Sequence, residues 1–165
     1  MSPYPYFLTA PFQPFPCTIK TQLLRLLAIV TVICSANFAC AHETITAGPN
    51  RGRMLSKSKP PAEFLVTAER KVQITFIGAD GKPIAPADQV VTVTTGERAA
   101  PTKLTFTKTD TGLISEGVLP AGNDFPTVVQ IKATPDAKAS VARFNLNTSI
   151  CSGCKNGEYA CVCGH

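Results

Sequence analysis

The sequence predicts an all-β fold, a single seven-stranded sandwich with Greek-key connections that occupies residues 62–147. Two observations support this prediction. Apolar and polar residues alternate with a period of two in successive short runs, which is the pattern of strands that bury one face. Turn-forming pairs such as Asp80-Gly81 and Thr95-Gly96 separate the runs at short intervals. Short strands at this spacing are typical of an immunoglobulin-like sandwich.

Each strand is predicted from its own alternation. Inward positions are filled by β-branched and aromatic residues, and outward positions are mostly Thr, Gln, Lys or Glu. Residues 104–107 and 113–116 flank a turn at 109–112 and predict a hairpin. The other runs are 64–69, 72–77, 91–94, 129–132 and 142–146.

The N-terminal residues 1–41 are interpreted as a leader with a signal peptide. Lys20 and Arg25 form a basic region, residues 26–33 form a short apolar run, and Ala39-Cys40-Ala41 is typical of a cleavage site. The apolar run is much shorter than the roughly 20 residues of a membrane-spanning helix. We therefore expect a periplasmic or secreted protein with no stable membrane span. A retained membrane anchor and a lipidated cysteine are the alternatives.

Cleavage after Ala41 would make His42 the first residue of the mature chain. An N-terminal histidine can chelate Cu(II) through its α-amine and Nδ1, although a histidine can also follow a cleavage site by chance. Residues 42–61 are rich in glycine, proline, serine and basic residues, and predict a flexible basic linker. Met54 in this linker is either a thioether donor for Cu(I) or a packing residue.

Composition and motifs exclude several functions. The net charge of +5 is a mild excess that is spread along the chain, so we expect no nucleic-acid binding. Residues 62–147 contain no histidine, no cysteine, no nucleophile elbow and no phosphate-binding loop. The aspartates of this region lie in turns, where they usually cap the backbone. We therefore expect a protein that is not an enzyme.

The C-terminal tail, residues 148–165, concentrates the chemistry of the chain. Its donors follow the spacing C-x₂-C-x₆-C-x-C-x-H, whereas the other three of the seven cysteines lie in the leader. So short a segment cannot bury a core of its own, so its sulfurs must be cross-linked by metal or by disulfides. The predicted metal ligands are Cys151, Cys154, Cys161, Cys163 and His165.

The metal interpretation follows from how the tail is expected to turn. Gly153 allows the backbone to approach the thiolates, and Asn156-Gly157 predicts a chain reversal. Residues 161, 163 and 165 would then point to one face of an extended segment. Four such donors suit tetrahedral Zn²⁺, and two or three thiolates suit Cu(I), so the predicted cofactor is zinc or copper.

Disulfides are the main alternative, because exported proteins fold in an oxidising compartment. In that case Cys161 and Cys163 would pair with Cys151 and Cys154, and the protein would be a disulfide-stapled interaction module. Thioredoxin-like redox chemistry is a further alternative, although no strand-to-helix context surrounds the C-x-x-C pair. In either case we expect the sandwich to fold without the tail, so that metal would order only residues 151–165.

The stretch A-E-F-L-V-T-A-E-R-K-V-Q-I-T-F, the D-G-K-P-I and L-P-A-G turns and the cysteine tail resemble small exported proteins that accompany bacterial heavy-metal efflux systems. The sandwich is similar to periplasmic copper-resistance β-sandwich proteins, whose mature chains begin with histidine, as His42 would here. Those proteins use further histidines that residues 62–147 lack. The resemblance implies heavy-metal handling or resistance in the cell envelope, with a metal-efflux component as a partner.

Overall fold

The computed structural model describes residues 44–164, so the leader, His42 and His165 lie outside the described residues. Within that range the chain forms ten strands and one 3-10 turn, and no α-helix. No helix of the described part is long and apolar enough to cross a membrane. The all-β prediction is confirmed, the count of seven strands is too low, and the Greek-key connectivity stays a prediction.

Two antiparallel sheets make up the fold. In the first, the strand order is β1 (Arg53–Leu55), β2 (Ala62–Val66), β3 (Val72–Ile77), β8 (Leu113–Ser115), β7 (Phe106–Lys108), and β4 (Pro83–Ile84) also pairs with β3. In the second, the order is β10 (Ser140–Asn147), β9 (Asp124–Lys132), β5 (Val90–Thr95), β6 (Thr102–Leu104).

Both sheets contribute to one hydrophobic core. The alternation in the sequence is the reason, because every second side chain of a strand lies on the same face. In β9, for example, the burial pattern alternates along nearly the whole strand. The first sheet contributes Ala62, Phe64, Val72, Ile74 and Phe76, and the second contributes Val91, Val93, Leu104, Val129, Ile131 and Leu146.

One stretch of chain passes from one sheet to the other. β6 pairs with β5 in the second sheet, β7 pairs with β8 in the first, and only Thr105 separates them. The single predicted strand at 104–107 is therefore wrong, because alternation does not encode which neighbour a strand takes. The predicted hairpin is confirmed between β7 and β8, where the N–H of Thr109 donates to the carbonyl of Gly112 at 2.8 Å.

Part of the predicted flexible linker is an ordered edge of the first sheet. Strand β1 pairs with β2, and Leu55 is buried in the core. The preceding turn is anchored on the carboxylate of Glu63, which is fully buried. This carboxylate accepts hydrogen bonds from the N–H of Gly52 at 2.7 Å and from the N–H and side-chain amide of Asn50 at 2.9 and 2.8 Å. Sequence composition suggested a linker because the turn is rich in glycine.

The C-terminal tail packs on the sandwich. Tyr159 and Ala160 belong to the core, and Cys151 is fully buried. The ring of Tyr159 lies edge-on to Phe64, with 5.8 Å between centroids, and its hydroxyl accepts a hydrogen bond from the N–H of Val66 at 2.9 Å. This packing argues against the expectation that the sandwich folds independently of the tail, because two tail residues belong to its core.

Candidate metal centre

The first pair of cysteines lies on a tight loop that the backbone closes by itself. The N–H of Lys155 donates to the carbonyl of Cys151 at 3.0 Å, and the N–H of Cys151 donates to the carbonyl of Asn156 at 2.8 Å. The predicted reversal is present, but its left-handed residue is Lys155, with φ 63°, whereas Gly157 has an ordinary φ of −59°. The chain therefore turns earlier than the Asn-Gly pair suggested.

The backbone at Gly153 lies close to the sulfurs, which the sequence predicted from the missing side chain. A Cβ at this position would lie 3.0 Å from the Sγ of Cys163 and 3.8 Å from the Sγ of Cys151. A side chain here would press on the sulfur cluster, because 3.0 Å is shorter than an ordinary van der Waals contact.

The second pair of cysteines is brought back by the 3-10 turn Glu158–Ala160. The turn is held to the start of the tail, since the N–H of Glu158 donates to the carbonyl of Ser149 at 2.8 Å. Its buried residues Tyr159 and Ala160 fix it to the sandwich. Cys161 ends the turn in an extended conformation and therefore points its sulfur at the first loop.

The four sulfur atoms form a compact cluster. The distances are 3.4 Å between Cys151 and Cys161, 3.8 Å between Cys154 and Cys161, and 3.9 Å between Cys151 and Cys163, and all four lie within 4.8 Å of one another. In a regular tetrahedron with Zn–S bonds of about 2.3 Å, the sulfurs are about 3.8 Å apart. A disulfide bond is much shorter, about 2.05 Å. The cluster therefore has the dimensions of a four-sulfur metal site.

The electrostatics of the cluster differ between its members. The backbone N–H of Asn156, helped by that of Val162, lowers the pKa of Cys154 to about 6. At Cys161 the N–H of Cys163 lowers the pKa, but burial and hydrogen bonds with neighbouring thiols outweigh it and raise the pKa to about 12. The thiol of Cys161 thus carries a proton at neutral pH that a metal ion must displace, because only thiolates bind metal.

The cysteine cluster lies at the surface of the fold, with Cys151 on its inner side and Cys163 on its outer side. Cys151 is buried, Cys154 and Cys161 are partly buried, and Cys163 is exposed. A metal ion held by these four sulfurs would touch the sandwich through Cys151 and face solvent through Cys163.

The structure brings together four of the six predicted ligands. The four tail cysteines form the cluster, while His165 and His42 lie outside the described residues. Met54 lies in β1, partly buried, as a packing residue would be.

The supporting residues were missed by the sequence analysis. Tyr159 is the aromatic residue between the two cysteine pairs, and that position was the available signal for an anchor. Arg53 donates from Nη1 to the carbonyl of Tyr159 at 3.3 Å, and its guanidinium lies 4.7 Å from the ring centroid of Phe144. Nothing in the sequence around Arg53 indicated that it would hold a segment more than 100 residues away.

A scan against protein-family models and searches of characterised proteins and of solved structures find no match to this chain. The resemblance to exported proteins of heavy-metal efflux systems therefore stays a prediction. The donor set and its dimensions support metal binding. Four cysteines lie close enough together to hold one metal ion.

Proposed function

We propose that the protein is an exported metal-binding protein that holds one zinc or copper ion through Cys151, Cys154, Cys161 and Cys163. The observation that carries the proposal is the set of sulfur separations of 3.4–3.9 Å, close to the edge of a tetrahedral thiolate site. Chains with a four-sulfur site of this size bind soft or borderline metal ions and exclude hard ones such as Mg²⁺.

The donor geometry favours zinc over copper. Four sulfurs at near-tetrahedral spacing satisfy Zn²⁺ fully, whereas Cu(I) needs only two or three thiolates. Copper remains the second metal to test, since dropping one sulfur from the cluster leaves a Cu(I) site. The exposure of Cys163 supports a role in metal handling, because an acceptor can replace this outer ligand first.

The cellular role rests on the leader. A signal peptide would deliver the protein to the periplasm or the exterior, where it would act in heavy-metal handling or resistance beside a metal-efflux component. N-terminal sequencing and intact mass of the exported protein test this part. A mature chain that begins at His42 is expected, and a membrane-retained chain that still carries residues 20–41 would overturn it.

Metal titration of the reduced full-length protein tests the site. We expect one Zn²⁺ per chain, and a loss of affinity by orders of magnitude in Cys161→Ser, because one of four soft donors is removed. Ser152→Ala, in the same loop, is the matched control, since Ser152 is exposed and supplies no sulfur. His165→Ala should bind nearly as well as wild type if four sulfurs close the site. If the wild type binds neither zinc nor Cu(I) at micromolar concentration, the proposal fails.

A disulfide-stapled interaction module is the second candidate. The 3.4 Å separation of the sulfurs of Cys151 and Cys161 is the observation that favours it, because small shifts would allow a bond in an oxidising compartment. Thiol titration of protein purified from the exporting compartment separates the two. Sulfurs that react once a chelator is added were bound to metal, whereas sulfurs that only a reductant releases were disulfides.

A further inference from the structure

A cavity of about 370 Å³ lies beside the cysteine loop, and no cysteine lines it. Its wall includes three cationic residues, Arg51, Arg70 and Lys155, and no acidic residue. The volume is within the range of roughly 300–1,000 Å³ that is usual for small-molecule sites. The cavity therefore combines a fitting size with a positive lining.

The three cationic residues share an unusual backbone conformation. Arg51, Arg70 and Lys155 have φ values of 66°, 60° and 63°, and within residues 44–164 they are the non-glycine residues with positive φ. Each ends a tight turn, where its N–H donates to the carbonyl of Gly48, Thr67 or Cys151. Glycine or asparagine adopts this conformation at lower cost, since the Cβ of other left-handed residues comes close to the following carbonyl oxygen. Such strain is typical of functional sites.

The three cationic side chains of the cavity differ in how firmly they are held. Nη2 of Arg70 donates to the carbonyls of Pro120 and Gly122 at 2.5 and 2.7 Å, so its guanidinium is held in place. Arg51 and Lys155 are exposed, and their side chains can reach a ligand.

An apolar wall faces the same cavity. Val66 of β2 borders the cavity, but it packs against the core. Leu65 of β2 lines it, and so does Ile150, which is 66% exposed. A large aliphatic side chain this exposed at the rim of a cavity is a contact surface for an apolar group. Inorganic anions would gain nothing from that wall, whereas an organic acid would use both the wall and the cations.

We propose that this cavity binds a small organic carboxylate with an apolar body. The carboxylate would lie between Arg51 and Lys155, which can donate charge-assisted hydrogen bonds to it. The apolar body would cover Leu65 and Ile150. The site is separate from the metal centre, although Lys155 belongs to the cysteine loop.

Benzoate is the probe for the test, with inorganic phosphate as the anion that lacks an apolar body. The protein is the full chain with reduced thiols, titrated with and without zinc, and binding is followed by ligand-observed NMR and calorimetry. The test variant is Arg51→Asn with Lys155→Asn, because asparagine tolerates positive φ and the fold should remain intact. The matched control is Lys82→Asn with Lys138→Asn, which removes the same charge from exposed positions away from the cavity.

We expect saturable binding of one benzoate per chain, weakened about tenfold or more in the test variant, a free-energy difference of about 1.4 kcal/mol or more, since the carboxylate loses charge-assisted hydrogen bonds. The control should keep its affinity within about twofold of wild type, a free-energy difference below about 0.5 kcal/mol. Phosphate should bind more weakly than benzoate. The proposal is overturned if wild type shows no saturable benzoate binding up to about 10 mM, if the control loses as much affinity as the test variant, or if phosphate binds as tightly. Benzoate binding is expected with or without zinc, so failure of the metal proposal is seen separately in the zinc titration.

Discussion

Metal binding should stabilise the whole described fold and should do more than order the tail. The reason is that Tyr159 and Ala160 lie in the same core cluster as residues of both sheets, and the fully buried Cys151 begins the segment that carries them. When metal joins the two ends of this segment, the ring of Tyr159 is held against Phe64. Unfolding of the sandwich then requires loss of the metal as well.

The size of the effect follows from mass action. An ion that binds only the folded chain, present at 100 times its Kd, stabilises by about 2.7 kcal/mol. For a domain of about 120 residues, 1 kcal/mol raises Tm by roughly 4 °C. We therefore expect zinc to raise the Tm of the main transition by about 10 °C.

Thermal unfolding of the reduced full-length chain, with and without zinc, measures this shift. Circular dichroism reports the strands, and tyrosine fluorescence includes Tyr159, because the chain has no tryptophan. Ser152→Ala should keep the shift and Cys154→Ser should lose it. This prediction is wrong if zinc is bound but the strand transition moves by less than about 1 °C while the tyrosine signal melts separately.

Three further predictions concern the support of the site and the sheets. Tyr159→Phe should lower the free energy of unfolding by about 1–2 kcal/mol, because the N–H of Val66 loses its hydroxyl partner. Denaturant titration measures this change, and an unchanged midpoint would argue against the contact. Burial raises the pKa of Tyr159, so its contribution to stability is full below the usual tyrosine pKa of about 10 and is lost as the pH rises through the folded value. The phenolate absorbance of wild type minus that of Tyr159→Phe should therefore appear at higher pH in folded than in denatured protein, and coincident curves would contradict this. Gly112→Ala should destabilise by roughly 1–3 kcal/mol, because the new Cβ would collide with the carbonyl oxygen of Ile74. Thr111→Ala, at an exposed position, should have little effect on the same measurement.

The features predicted correctly from the sequence are those that depend on residues close together in the chain. Period-two alternation located β3, β5 and β10 to within two residues and the last four residues of β9, because burial of one face is a local property of a strand. The four tail cysteines were predicted as one cluster, because their spacing and Gly153 already limit how far the sulfurs can separate.

Contacts between residues far apart in the chain could not be predicted from the sequence. The turn before β1 was interpreted as a linker, since its order depends on the buried carboxylate of Glu63, which follows Asn50 by 13 residues. The contact between Arg53 and Tyr159 spans 106 residues, and no local pattern marks either residue as the other's partner. For the same reason the tail was expected to be independent of the sandwich, although its tyrosine lies in the core.

The hydroxyl of Tyr159 also has a consequence for association between molecules. Strand β2 extends two residues beyond its registered pairing with β1, which ends at Phe64. An N–H left open there would invite the edge strand of another chain to add to the sheet. The phenol takes this donor at Val66 and blocks such an addition. Release of the tail would therefore expose an unpaired edge of β2. A chain that lacks its metal or carries wrong disulfides should thus aggregate more readily than the folded, metal-bound protein.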